Sequence, residues 1–120
     1  MGADAERRQL TVMFCDLVGS TELSARLDPE DLRDVIAAYH RAVAVVVGNL
    51  DGFVAKYMGD GVLVYFGYPR AHEDDAERAV RAGLGVIDAV GRLDVTSVDL
   101  QARVGIATGL VVVGDLIGEG

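Results

Sequence analysis

One hundred and twenty residues at 12.7 kDa make one domain, long enough to bury roughly two-thirds of its unfolded surface without disulfides or a structural metal. With 51% apolar and 25% charged residues the chain is too hydrophobic for intrinsic disorder, yet no apolar run is long enough to cross a bilayer, and the polar start from Met1 to Gln9 is no signal peptide. A net charge of −8 leaves little to build a basic face from, which argues against nucleic acid as a partner and implies that an anionic small substrate would need a bound cation to receive it.

After a short charged lead, Leu10-Thr11-Val12-Met13-Phe14-Cys15 reads as a buried strand ending at Asp16. Cys15 is the only cysteine, so no intrachain disulfide can form, which suits a reducing cytoplasm. Gly19-Ser20-Thr21 opens a short helix toward Arg26, with Ser20 as its cap. Asp28-Pro29-Glu30-Asp31 starts a second helix, whose stripe is Leu32, Val35, Ile36, Tyr39, Val43 and Val46 and which closes at Gly48-Asn49. Phe53 to Met58 and Val62 to Phe66 are strand-like runs around Gly59-Asp60-Gly61, a hairpin signal. Glu73-Asp74-Asp75 leads into a third helix with the stripe Ala76, Val80, Leu84, Ile87 and Val90, and with Gly83 and Gly85 marking close packing. Leu100 to Thr108 is a further strand, after which Gly109 turns the chain into Leu110 to Val113. Hairpin pairing plus crossover helices argues an α+β sheet of ferredoxin-like type, βαββαβ, with its helices on one face.

Asp16 ends a buried strand before a glycine-hydroxyl turn into a helix, and Asp60 sits at a hairpin tip. If the outer elements of this unit pair side by side, both carboxylates meet at one sheet edge. Two such charges about 5 Å apart repel by roughly 3 kcal/mol at an effective dielectric near 20. A divalent cation reverses that sign, and hard oxygen ligands favour Mg²⁺. Taken singly, each aspartate also fits ordinary turn chemistry. Lys56 is the only lysine beside ten arginines and lies in an apolar strand, where it could equally guard an edge against aggregation. His40 and His72 lack nearby cysteines or histidines and read as surface or helix-start residues, not zinc ligands. Ser20 has no His–Asp partnership that would make it a nucleophile.

Three segments together carry a resemblance. Phe14-Cys15-Asp16-Leu17-Val18-Gly19-Ser20-Thr21 resembles the first metal-binding strand and turn of the class III adenylyl/guanylyl cyclases. Lys56-Tyr57-Met58-Gly59-Asp60-Gly61 with the strand after it is similar to their second signature, and Arg103-Val104-Gly105-Ile106-Ala107-Thr108-Gly109 to their third. The resemblance implies that Asp16 and Asp60, with the Leu17 carbonyl, hold two Mg²⁺ (or Mn²⁺) ions per active site. It implies turnover of ATP to 3′,5′-cyclic AMP and pyrophosphate, with the backbone of Val18, Gly19, Ser20 and Thr21 cradling phosphates. It also implies a homodimer with shared active sites, in which Lys56 serves the partner's metal site and reads adenine, because ammonium only donates.

The family domain continues beyond residue 120 with a strand arm, a helix and more strands, which bring the second base-reading residue and a transition-state Asn and Arg. Nothing in these residues matches such an Asn-x-x-x-Arg helix. The expectation is the front two-thirds of a cyclase domain, with little activity by itself. The alternative is a catalytically silent module acting in metal or nucleotide binding or dimerisation. Leu110 to Val113 and Leu116-Ile117 are expected to leave an apolar edge that promotes self-association. A haloacid-dehalogenase-type phosphatase would share the opening Asp, but it needs a second acid where Val18 stands.

Overall fold

The first strand outruns its apolar stretch. β1 spans Glu6–Leu17 and β4 spans Ala102–Val113, paired antiparallel from Glu6 opposite Val113 to Leu17 opposite Ala102. In this computed structural model, which describes residues 6–95 and 99–113, β4 runs straight through Gly109. The turn expected there does not form. Gly109 is held opposite Leu10, and the ladder on both sides outweighs the roughly 0.5–1 kcal/mol that glycine costs inside a strand. The segment Leu116-Ile117 lies outside the described residues.

Between these strands come α1 (Ser20–Arg26), α2 (Pro29–Asn49), β2 (Phe53–Met58), β3 (Gly61–Phe66) and α3 (Asp75–Gly91). The sheet order is β2-β3-β1-β4 with every neighbouring pair antiparallel, the ferredoxin-like βαββαβ arrangement. Alternation along the strands sorts the side chains. Met13, Cys15 and Leu17 of β1 and Val62, Val64 and Phe66 of β3 form one core with Val35, Tyr39, Val43 and Val47 of α2 and with α3. Leu10, Ala55, Tyr65 and Val113 form a smaller cluster with Val12, Phe53 and Leu63.

α3 departs from expectation. Its buried residues are Arg78, Ala79, Ala82, Gly83, Val86 and Val90, so of the expected stripe only Val90 is inward. Val80, Leu84 and Ile87 are exposed and flank a groove with Val104 and Ile106 of β4. The reason is distance. A Cβ on Gly83 would come within 3.1 Å of Val104, and one on Gly85 within 2.9 Å of Val46, so the middle of the inward face is built from the small residues Ala79, Ala82 and Gly83. Val80, Leu84 and Ile87 are left outside.

Arg78 is the buried charge that fastens α3. Its Nε donates to Asp74 at 2.9 Å, its other nitrogens donate to Asp75 and to the Leu50 carbonyl, and its guanidinium lies over the Phe66 ring. Replacing it strands the largely buried Asp75 carboxylate and leaves a carbonyl without its donor. Arg78→Ala is therefore expected to lower unfolding free energy by about 3 kcal/mol in urea denaturation. A loss under about 1 kcal/mol would mean that the cluster is as dispensable as a surface ion pair.

Candidate active site

β1 and β3 pair from Thr11 opposite Phe66 to Cys15 opposite Val62, so Asp16 and the Gly59-Asp60 turn arrive at the same end of the sheet. Gly59 takes φ +62°, a left-handed conformation that glycine adopts without penalty. The turn carries Asp60 back over β1, where its Oδ2 accepts a hydrogen bond from the Leu17 N–H at 3.0 Å. That N–H belongs to the peptide directly after Asp16, so the Asp60 carboxylate lies within about 6 Å of the Asp16 Cα. Asp16 Oδ1 is buried and has no hydrogen-bond partner, with the Arg103 Nε at 3.7 Å as its nearest positive charge. Two hard-oxygen groups side by side, one with an unpartnered buried oxygen, fit a small divalent cation better than an apolar or thiolate-seeking ligand. Among the described residues no three His, Cys, Asp or Glu side chains converge, so the donor set is this pair with main-chain oxygens.

Around the carboxylates, Leu17, Ser20, Thr21, Leu23, Ser24, Leu32, Ile36, Gly59 and Asp60 line a cleft of about 280 Å³. A larger groove of about 480 Å³ runs along the outer face of α2, shares Leu32 and Ile36 with the cleft, and contains no carboxylate. Helix geometry leaves the N–H groups in the first turn of α1, those of Ser20, Thr21 and Glu22, without intrahelical partners. Gly19, not Ser20, is the residue at the cap. It sits at φ +72°, a left-handed conformation that a serine would resist, and with no side chain it makes no side-chain cap bond. Val18 also departs from expectation: its N–H donates to the Gln101 carbonyl at 2.9 Å, tying the turn to the segment before β4, and so is not on offer to a phosphate. Lys56 is exposed on the edge strand β2, just past an irregularity in its pairing with β3, and makes no ion pair among the described residues.

A family comparison decides where the chain belongs. The model of the adenylate and guanylate cyclase catalytic domain matches residues 3–119. The chain belongs to that family. This cyclase domain is 38% identical to the guanylyl cyclase Cya2, whose crystal structure it matches with a TM-score of 0.86 over 92% of this chain and 58% of that one. It is 32% identical to the adenylyl cyclase CyaB from P. aeruginosa, with a TM-score of 0.80 over 92% of this chain and 61% of that one. Adenylate cyclase 1 of Rhizobium meliloti is 31% identical over 96% of this chain and 18% of its own length. The domain thus spans less than two-thirds of each of these relatives. Among its described residues, no helix is long and apolar enough to cross a membrane.

Three residues of the cyclase domain near the carboxylates escaped the sequence reading. Arg103 counted only as part of a motif, yet it is the cation beside Asp16. His40 is no surface residue: it is half-buried beneath the hairpin, its ring 4.5 Å from that of Tyr57. Burial holds it below the usual imidazole range, opposed by the Gly59 backbone and the Asp60 charge. Its four-residue spacing from Ile36 and eight from Leu32 was the available signal. Tyr39, read only as core, is fully buried with its hydroxyl unpartnered. Cys15, next to Asp16, is pushed up to about 12 by burial and by the Asp16 charge, so it stays a thiol at neutral pH.

Proposed function

We propose that this domain is the metal- and substrate-binding front of an adenylate cyclase, which converts ATP to 3′,5′-cyclic AMP and pyrophosphate. The observation that carries the reading is the Asp60 carboxylate seated on the amide after Asp16, beside an Asp16 oxygen that is buried and unpartnered. Asp16 and Asp60, with the Leu17 carbonyl, would hold two Mg²⁺ or Mn²⁺ ions. Bound there, such ions lower the pKa of the ATP 3′-hydroxyl and neutralise the triphosphate. Ser20 and Thr21 line the same cleft as Asp60, and the free backbone N–H groups of the Gly19–Thr21 turn would donate to phosphate oxygens there.

Lys56 supports ATP as the substrate. Its ammonium can donate to the unprotonated N1 of adenine but has nothing to offer the N–H donors of guanine. Its exposed position on the edge strand suits service to the site of a second copy, in a homodimer with shared active sites. A second reading, a silent module that binds metal or nucleotide without turnover, fits the same pair of carboxylates.

A cyclic AMP assay with Mn²⁺ separates the two readings. A full-length form of the domain should make cyclic AMP from ATP, while the 120 residues alone should bind Mn²⁺ yet stay near background, because losing charge-stabilising donors costs on the order of 10²–10³-fold each. Metal binding without turnover in the full-length form would establish the silent module. Brisk turnover by the 120 residues would show that no further segment is needed.

A further inference from the structure

The sheet has two edge strands, β2 and β4, and they are finished in opposite ways. β2 is six residues long, carries Lys56, and has an irregularity in its pairing between Val54 and Lys56. Short length, a lysine and a bulge are the devices that keep an edge from recruiting another strand. β4 has none of them. It runs twelve residues in unbroken register with β1, and holds no proline and no charge except Arg103. Its outer side meets no other strand among the described residues.

The side chains along that edge are as open as its backbone. Of the eleven large apolar side chains that stand exposed among the described residues, six lie on α3 or β4: Val80, Leu84, Ile87, Ile106, Leu110 and Val112. An apolar strip of this kind marks an interaction surface. Val80, Leu84 and Ile87 form a groove of about 180 Å³ with Val104 and Ile106. Alternation puts Leu110 and Val112 on the same face of β4 as Val104 and Ile106, yet they do not line the groove. The exposed arginines of α3 are paired within the helix, Arg81 with Glu77 and Arg92 with Asp88. The strip therefore carries little net charge, although the chain as a whole stands at −8.

We propose that the β4 edge is the pairing surface for a second copy of this chain, the two β4 strands adding antiparallel about a two-fold axis through Thr108. An axis perpendicular to the sheet keeps the helices of both copies on one side. Ile106 then comes opposite the partner's Leu110, and Val104 opposite the partner's Val112. The groove and the side chains that fit it thus stand on one strand, two and four residues to either side of Thr108. That self-complementarity singles out a second copy as the occupant. Arg103 falls at the outer ends of the pairing, far from its counterpart. Because β2 is blunted, each copy offers one such edge, and association closes at the dimer. This contact lies on the opposite edge of the sheet from Lys56, so it differs from the shared-site pairing and needs neither metal nor nucleotide.

Sedimentation of the 120-residue chain, from low micromolar to several hundred micromolar, should show a reversible shift from 12.7 kDa to twice that mass. Hydrogen exchange at the two ends of that range should show alternate β4 amides, those not bonded to β1, gaining protection with concentration. Leu110→Lys places a charge where the side chain is already 70% exposed, so the diluted variant should melt with the wild type. Its dimer should dissociate at a concentration about tenfold higher or more. Met58→Lys, the same change at an exposed position on β2, should leave the dimer as it was. A chain that stays monomeric throughout the range overturns the proposal, as does a dimer without added β4 protection. Association that Met58→Lys abolishes and Leu110→Lys does not would overturn it too, by moving the contact to the other edge. Growth past twice the monomer mass would overturn the two-fold closure on which the choice of a second β4 depends.

Discussion

Mn²⁺ is expected to raise the melting temperature of the wild type, and Asp60→Asn to abolish that rise without unfolding the protein. The asparagine carbonyl can still accept from the Leu17 N–H, so the hairpin stays anchored where the aspartate anchored it. What disappears is one of two neighbouring negative charges. Without metal those charges repel by roughly 3 kcal/mol at 5 Å and an effective dielectric near 20, offset in part by Arg103 beside Asp16. The metal-free variant should therefore be at least as stable as the wild type. In a full-length form, turnover should fall by on the order of 10²–10³-fold or more, the scale of losing one preorganised electrostatic contact. A variant that keeps the full Mn²⁺ response would place the cation elsewhere and remove the basis of the proposed mechanism.

Lys56→Glu carries the second large effect. In a full-length form the wild type should turn over ATP and use GTP poorly. The glutamate variant should lose most ATP use, since a carboxylate set against the adenine N1 puts acceptor against acceptor. A site built to hydrogen-bond a substrate group rejects an analogue lacking it by as much as about 10⁴-fold, and a mismatched pair behaves similarly. GTP use need not appear, because a second base-reading residue shares the choice. Because Lys56 is exposed and makes no ion pair among the described residues, the substitution should leave the melting temperature within a degree or two of wild type. The loss would then belong to recognition and not to folding. Equal turnover of ATP and GTP by the wild type would count directly against Lys56 as the purine reader.

The sequence made the strand and helix order legible because its punctuation is strong. Asp28-Pro29, Gly59-Asp60-Gly61 and the acidic entry at residues 73–75 each fall at an element boundary. The same punctuation brought Asp16 and Asp60 into view, since both stand where a strand stops. Orientation was harder to read. α3 carries apolar residues on two faces, and hydropathy favours the bulkier face, Val80, Leu84 and Ile87, although close approach to β4 and α2 selects Ala79, Ala82 and Gly83. Gly109 looked like a turn because a glycine says nothing of the twelve-residue partner strand that holds it extended. The commitment of the Val18 N–H to Gln101 and the burial of the Tyr39 hydroxyl without a partner are tertiary facts, with no local pattern to announce them.

The contact that seats Asp60 draws its donor from the main chain, and this divides the work between two positions unequally. At residue 60 the chemistry of the side chain is the requirement, since only an oxygen acceptor on a short stem reaches the amide. At residue 17 the amide is supplied by every amino acid except proline, so the site itself places no demand on the side chain there. The demand comes from the core, where Leu17 is almost fully buried among β1, β3 and α2. Exchange among apolar residues of similar volume at 17 should thus leave the metal pair untouched, while a proline there would release the hairpin without altering a single carboxylate.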